Sequence, residues 1–182
     1  MDAITMIKER RRVRKYKDEK VDRETMREIV DIARWAPSWV NYQIARYTLV
    51  DDEEIIKEIA EHGVNGFVYN IDTLRTAKGV AVLSFVKGKS GTYDKEYITS
   101  KGNSWEVFDA GIACQTFCLA AHAKGVGTCI MGVIDDKSIA KIVNLPEDET
   151  VAALIVYGYE DGEHAAPNKR KDVDEIMRFV DR

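Results

Sequence analysis

Five cations fall within six positions in Arg10-Arg11-Arg12-Val13-Arg14-Lys15, and Tyr16 follows them. Guanidinium groups carry planar pairs of donors that match phosphate oxygens, so such a run can hold a phosphorylated ligand. A solvated basic patch has the same composition. A second tract, Lys169-Arg170-Lys171, lies near the other end of the chain and says little alone. Together the two tracts offer two sides of one phosphate site. Between them stands Trp35-Ala36-Pro37-Ser38-Trp39-Val40-Asn41-Tyr42-Gln43, which mixes aromatic faces with short polar groups. Asn41 and Gln43 each bring a donor and an acceptor, the pattern that meets the edge of a heteroaromatic ring, although a packed loop uses the same residues. A fourth segment, Lys124-Gly125-Val126-Gly127-Thr128-Cys129-Ile130-Met131-Gly132, lets backbone come close to a ligand or simply turns a helix into a strand.

Other chemistries fit less well. Gly88-Lys89-Ser90 lacks the glycine that a phosphate-binding loop needs five residues earlier, because Leu83 stands there. Gly125-Val126-Gly127 lacks the third glycine of the dinucleotide fingerprint and follows a helix rather than a first strand. Cys114, Cys118 and His122 recur every four residues, and Cys129 could add a fourth zinc ligand, but the spacing matches no common zinc motif. Buried packing is the better reading of these cysteines, so no metal is expected. A cysteine nucleophile would need a base among His62, His122 and His164, and the spacing supplies no such pair.

The elements that position these groups follow from periodicity and capping. A short helix covers residues 2–10. Asp22 caps a second helix, whose stripe Met26, Ile29, Val30 and Ala33 faces inward and which Pro37 ends near Trp35. Tyr47 to Val50 has strand character, and Asp51 to Glu61 has a helical pattern; residues 62–78 have no clear pattern. Gly79 to Val86 and Val151 to Tyr157 are continuous apolar runs, which suit central strands covered on both faces. Gly88 to Gly102 is polar and glycine-bearing, hence an exposed loop or mobile flap. Trp105 to Lys124 is apolar nearly all round, which predicts a buried central helix. Further helices are expected from Asp135 or Asp136 through Val143 and from Asp172 to Val180.

The chain has 182 residues, 27 Lys plus Arg against 31 Asp plus Glu, and a formal charge of -4. That length gives one domain over residues 1–182, large enough for a core without a metal or disulfide staple. The acidic balance argues against a nucleic-acid binder. No apolar stretch of roughly 18 residues predicts a membrane span. The start lacks the apolar core of a secretory signal, and three clustered cysteines make no disulfide framework, so the cytoplasm is the expected location.

Taken in order, the four segments resemble the nitroreductase family of FMN-dependent oxidoreductases. Arg10 to Tyr16 is similar to the family's Arg-Arg-Ser-Val-Arg-x-Phe. Ala36, Pro37, Ser38, Asn41 and Gln43 match Ala-Pro-Ser-x-x-Asn-x-Gln-Pro-Trp, with Ile44-Ala45 replacing the Pro-Trp pair. Asp109 to Ala121 resembles the family's buried helix. Gly125-Val126-Gly127-Thr128-Cys129 resembles its Gly-Leu-Gly-Thr-Cys, and Val151 to Gly158 with Pro167 and the basic triplet resembles its last strand and tail. The resemblance implies an α+β fold, with a central mixed or antiparallel sheet packed with helices, in an intertwined homodimer with shared sites. It implies FMN as cofactor, held by Arg10, Arg11, Arg12 and Arg14 and by a closing phosphate clamp at Lys169 and Arg170. Ser38, Asn41 and Gln43 would reach the FMN of the partner subunit, and Ile130, Met131 and Gly132 would face the flavin ring. No side chain need act as catalytic nucleophile or acid; Arg14 is the candidate for stabilising reduced flavin at N1 and O2. The implied reaction is ping-pong: NADH or NADPH gives hydride to flavin N5, and a nitroaromatic, quinone or similar flat small molecule takes it. The alternatives are a flavin-binding or regulatory protein without efficient turnover and a dehalogenase-like flavoprotein of the same superfamily. Arg12 stands where serine is common, the chain is at the short end for the family, and residues 87–104 are the candidate substrate-side flap.

Overall fold

The computed structural model describes residues 2–164 and 166–180. Short helix α1 (Ala3–Glu9) begins at Asp2, whose carboxylate accepts from Ile4 and Thr5 N–H. Helix α2 (Arg23–Ala33) starts where Asp22 accepts the Thr25 N–H at 2.8 Å, and it buries Met26, Ile29 and Ala33. Both caps satisfy amide donors that a helix start leaves unpaired. A single 3-10 turn (Trp39–Asn41) leads into strand β1 (Ala45–Val50), longer by two residues than the sequence pattern indicates. Asp52 caps helix α3 (Glu53–His62).

Residues 62–78, which carry no clear pattern, contain helix α4 (Val68–Thr76). It starts at Phe67 with no side-chain cap, so the usual start signal is missing from the sequence. Strand β2 (Gly79–Val86) follows. The expected open loop instead holds a small hairpin, β3 (Thr92–Tyr93) with β4 (Glu96–Tyr97), and its base at Ser90, Gly91 and Thr92 is buried. Helix α5 (Ser104–Ala123) is the long buried one. Strand β5 (Gly127–Met131), helix α6 (Asp136–Ile142, capped by Asp135) and strand β6 (Glu149–Gly158) complete the core. Beyond them α7 (Val173–Ile176) is only one turn, much shorter than the helix expected over Asp172 to Val180, and none of its residues is buried. Without an apolar face to pack, so short a helix gains no tertiary support.

The main sheet has the order β1-β2-β6-β5, and all three pairings are antiparallel. Side chains of β2 alternate between two cores. Val80 and Val82 meet Ile56, Ile59, Leu74 and Ile139 from α3, α4 and α6. Ala81, Leu83 and Phe85 meet Met26 and Ile29 from α2 and Phe117 and Cys118 from α5. Residues of β6 divide the same way, with Leu154 and Val156 on one side and Ile155 and Tyr157 on the other. The central strands are therefore covered on both faces, which is why they lack polar alternation. Phe117 is fully buried beneath the sheet, and truncating such a residue costs roughly 3–5 kcal/mol. Among the described residues no helix is long and apolar enough to cross a membrane.

Candidate functional site

The basic opening segment is an addition to the sheet edge. Arg12 forms a parallel bridge with Thr128, and Val13 N–H donates to Thr128 O at 2.9 Å. Further on, Tyr16 bridges Glu160, and Lys17 N–H donates to Tyr159 O. Val13 and Tyr16 point into the core at 3% and 4% exposure, while Arg12 and Arg14, which flank Val13 on the extended backbone, point away from it. The Tyr16 hydroxyl donates to Val13 O and Val156 O, and burial raises its pKa. Two glycines permit this docking. A Cβ at Gly127 would lie 2.6 Å from Val13, and one at Gly158 would lie 2.9 Å from Tyr16.

Arg14 is aimed along this edge towards α4. Its Nη1 donates to Tyr69 O and to Thr73 Oγ1, both at 3.0 Å, and Thr73 Oγ1 in turn donates to Tyr69 O. One turn along α4, buried Asn70 donates through Nδ2 to Val133 O at 3.1 Å, just past β5. Tyr69, Asn70 and Thr73 thus join the site without any sequence signal, because α4 itself was unreadable. Arg10, Arg12 and Arg14 have no carboxylate ion-pair partner among the described residues. Arg11 behaves differently. Its guanidinium donates to Lys8 O and Arg10 O and so closes the carbonyl end of α1.

The far end of β5 divides the three residues expected to face a ring. Ile130 is 45% exposed, whereas Met131 is 1% exposed and packs in the core with Val82 and Leu154. Alternation along the strand explains this, so the Met131 side chain is corrected to a core role and only its backbone remains at the site. Gly132 is exposed, and a Cβ there would meet nothing within 4 Å. Lys169 and Arg170 are exposed on the tail; Arg170 donates to Asn168 O, and no described contact ties either cation to Arg10 or Arg11. The tail is nevertheless anchored at its root. His164 Nε2 lies 3.0 Å from Glu9 O and Nδ1 2.7 Å from Glu160 Oε2.

Ser38, Asn41 and Gln43 occupy the opposite side of the sheet, immediately before β1. Val40, Asn41 and Gln43 all have positive φ, at 46°, 56° and 50°. That conformation is uncommon outside glycine and strained for a β-branched valine. The Ser38 hydroxyl accepts Gln43 N–H at 2.8 Å, and Asp109 accepts Trp39 N–H at 2.9 Å. Beside the turn is a cavity of about 270 Å³ lined by residues including Pro37, Ser38, Gln43, Tyr47, Asp109 and Ala113. Strands β2 and β6 lie between this turn and β5, so the two halves of the expected site are separated by three strand spacings, roughly 14 Å.

Cys114, Cys118 and Cys129 are buried and unpaired, and no group of metal-binding side chains occurs among the described residues. Burial raises the Cys129 pKa, and a contact with Cys118 together with burial raises that of Cys114.

A four-stranded antiparallel sheet between two helical layers, with an arginine-bearing segment docked on one edge and a strained polar turn at the other, defines an α+β protein. The model of the nitroreductase family matches residues 7–159, and the chain belongs to that family. A protein of Methanothermobacter thermautotrophicus, named as a candidate NADH dehydrogenase/NAD(P)H nitroreductase, is 28% identical over 87% of this chain and 78% of its own length. The iodotyrosine deiodinase of Thermotoga neapolitana is 25% identical over 86% of this chain and 87% of its own. An FMN-dependent nitroreductase from Clostridium difficile R20291 superposes with a TM-score of 0.77 at 28% identity, covering 97% of this chain and 98% of that one.

Proposed function

We propose that the protein is an FMN-dependent oxidoreductase that carries reducing equivalents from NADH or NADPH to flat, electron-poor acceptors such as nitroaromatics and quinones, and that it works as a homodimer with shared sites. The observation that carries this reading is the set Arg10, Arg12 and Arg14, with Arg12 and Arg14 outward beside β5 and Arg10 half-buried before them, which has no acidic ion-pair partner among the described residues in a chain of charge -4. An uncompensated row of guanidinium groups suits a phosphate and an electron-rich pyrimidine edge, and the open backbone at Gly132 suits a flat ring. The residues present therefore fit FMN, the cofactor named for the Clostridium difficile relative.

When bound, FMN supplies two-electron chemistry, accepting hydride from the reduced nicotinamide and passing it to the acceptor in alternate half-reactions. The chain supplies position and charge. Arg10, Arg11, Lys169 and Arg170 would hold its phosphate. Arg14, fixed by Tyr69 O and Thr73, would place a positive charge beside the ring edge that becomes negative on reduction. Arg12 adds a second cation where a serine is usual. Ile130 gives the ring an apolar neighbour. Ser38, Asn41 and Gln43 lie too far across the sheet to meet an FMN held at their own chain's β5, and a second copy brings them to it. The exposed apolar residues Trp35, Val40, Val107 and Phe108 supply the surface that such a copy would cover.

The Thermotoga neapolitana relative favours a second reading, reductive removal of halogen from an aromatic acceptor. One experiment separates the readings. Purified protein should be yellow and release FMN on heating. NADH or NADPH should bleach it, and a nitroarene or quinone should restore the colour. Recovery only with a halogenated phenol selects the second reading. Bleaching without recovery by any acceptor leaves a flavin-binding or regulatory protein, and protein that takes up no FMN refutes the proposal.

A further inference from the structure

Helix α5 carries two buried carboxylates, Glu106 and Asp109, three residues apart on one face. Among the described residues neither has a cationic partner; both accept from loops. Glu106 accepts Gly88 N–H at 2.5 Å and the Tyr97 hydroxyl at 3.0 Å, which fixes both ends of the 88–97 segment. Asp109, 4% exposed, uses one oxygen for two loops: Oδ2 accepts Trp39 N–H at 2.9 Å and also the hydroxyl of fully buried Ser90. A second tie runs directly between those loops, from Trp39 Nε1–H to Thr92 O at 3.1 Å. The Trp39 ring packs on Trp105 with centroids 5.1 Å apart, and Trp105 packs on Phe108. The segment expected to be a mobile flap is thus fastened to the strained turn through one buried carboxylate and the Trp39–Thr92 hydrogen bond.

We propose that Asp109 is a positioning residue for the acceptor: it joins the 38–43 turn and the 88–92 segment into one rigid wall, and the turnover of the electron acceptor depends on that wall. This rests on the reading that the turn meets a flavin held by the partner. The helix gives the geometry its stiffness, because Asp109 sits in the second turn of a twenty-residue element packed against the sheet. A charge-assisted acceptor holds two donors more firmly than a neutral one and allows little drift of the turn. The Asp109 carboxylate also lines the 270 Å³ cavity beside Ser38 and Gln43, so a shift of the turn changes the cavity's shape.

The test compares Asp109→Ala, Asp109→Asn and Ser90→Ala in FMN-loaded protein. Donor and nitroarene are varied separately, and thermal melting is recorded for each variant. In Asp109→Ala the acceptor kcat/KM should fall at least about fivefold, while the rate of bleaching by the nicotinamide stays within about twofold. Asp109→Asn keeps an acceptor oxygen and should recover most of the loss. Ser90→Ala frees only the 88–92 segment and should show a smaller change of the same kind, which keeps the test open if Asp109→Ala does not fold. Lower melting temperatures with unchanged acceptor kcat/KM in Ser90→Ala, and in Asp109→Ala where it folds, would overturn the proposal and leave Asp109 as packing. Ser38→Ala and Asn41→Ala provide the separate control. If they alter neither FMN affinity nor acceptor turnover, the turn does not meet a flavin, and the reading beneath the proposal fails first.

Discussion

At the β5 edge the chain lays an extended segment against a strand and anchors it by two buried side chains, Val13 and Tyr16, with Arg12 and Arg14 left outside. At the β1 edge it makes a tight turn instead, with three residues at positive φ, and holds it by Ser38 Oγ and Asp109. The first arrangement is locked by core packing over many residues and tolerates change at any outward position. The second depends on a few hydrogen bonds to one helix, so small changes can displace it. The first is charged and suits tight holding; the second is polar, strained and bordered by aromatics, which suits contact with an acceptor that must come and go.

If the edges of two different chains complete each site, damage at the two edges should complement. Arg10→Ala should weaken FMN binding by about 2–5 kcal/mol, which is roughly thirtyfold to several thousandfold, by analogy with truncated charge pairs. A chain carrying Ser38→Ala and Asn41→Ala should have a full phosphate site but poor acceptor turnover. After co-refolding in equal amounts, half the dimers should be mixed, each with one intact site of two, giving about a quarter of wild-type activity. Activity in the mixture no greater than the mean of the parents would show that each site is made within one chain.

The glycines sharpen the contrast within the β5 edge. At Gly127 a side chain collides with Val13, so Gly127→Val should destabilise the protein by roughly 1–3 kcal/mol through overpacking, whether or not FMN is present. At Gly132 a Cβ meets no protein atom, so Gly132→Ala should leave the stability of FMN-free protein within about 0.5 kcal/mol. Its effect should fall on FMN affinity alone. Denaturant melts with and without FMN measure both. Equal losses at the two positions would mean that Gly132 serves the fold and not the ligand.

The same contrast explains what the sequence made legible. Helices α2, α3 and α6 carry capping signals, and the two central strands and the long helix α5 are continuous apolar runs of strand and helix length; each stands where its pattern puts it. Helix α4 carries neither a cap nor a strong apolar stripe, so Tyr69, Asn70 and Thr73 stayed hidden although they hold Arg14 and flank β5. The fastening of residues 88–97 was hidden for another reason. Glu106 and Asp109 look like surface acids in a helix, and only the tertiary arrangement reveals that their partners are loop amides and hydroxyls. Within residues 130–132 the motif marks a stretch of chain, whereas strand alternation decides that Ile130 is exposed and the Met131 side chain is in the core.

The smallest expected effect concerns how the tail carrying Lys169 and Arg170 is tied to the β5 edge. His164 meets an acceptor at each ring nitrogen, Glu160 Oε2 at Nδ1 and Glu9 O at Nε2. With the carboxylate ionised, both nitrogens must donate, so the clasp requires the imidazolium form. The Glu160 hydrogen bond raises the pKa of His164 and the Glu9 carbonyl adds to it; partial burial and the Arg11 charge oppose them. His122, stacked on His164 with centroids 6.5 Å apart, has its own pKa lowered by burial first and then by His164 and Arg10, with Glu9 opposing, so the two rings are shifted in opposite directions. A group whose pKa is raised on folding contributes stability that is complete below its unfolded pKa of about 6.5 and is lost as pH rises through the folded value. The clasp should therefore hold in mildly acidic solution and loosen on the alkaline side. NMR titration of the His164 ring should give a midpoint above 6.5, and the amide resonances of Lys169 and Arg170 should shift with that same midpoint. Glu160→Gln should lower the midpoint, and His164→Gln should remove the pH dependence of the tail resonances. A wild-type ring titrating at or below 6.5, or tail resonances indifferent to it, would mean that the tail is held by something other than this clasp.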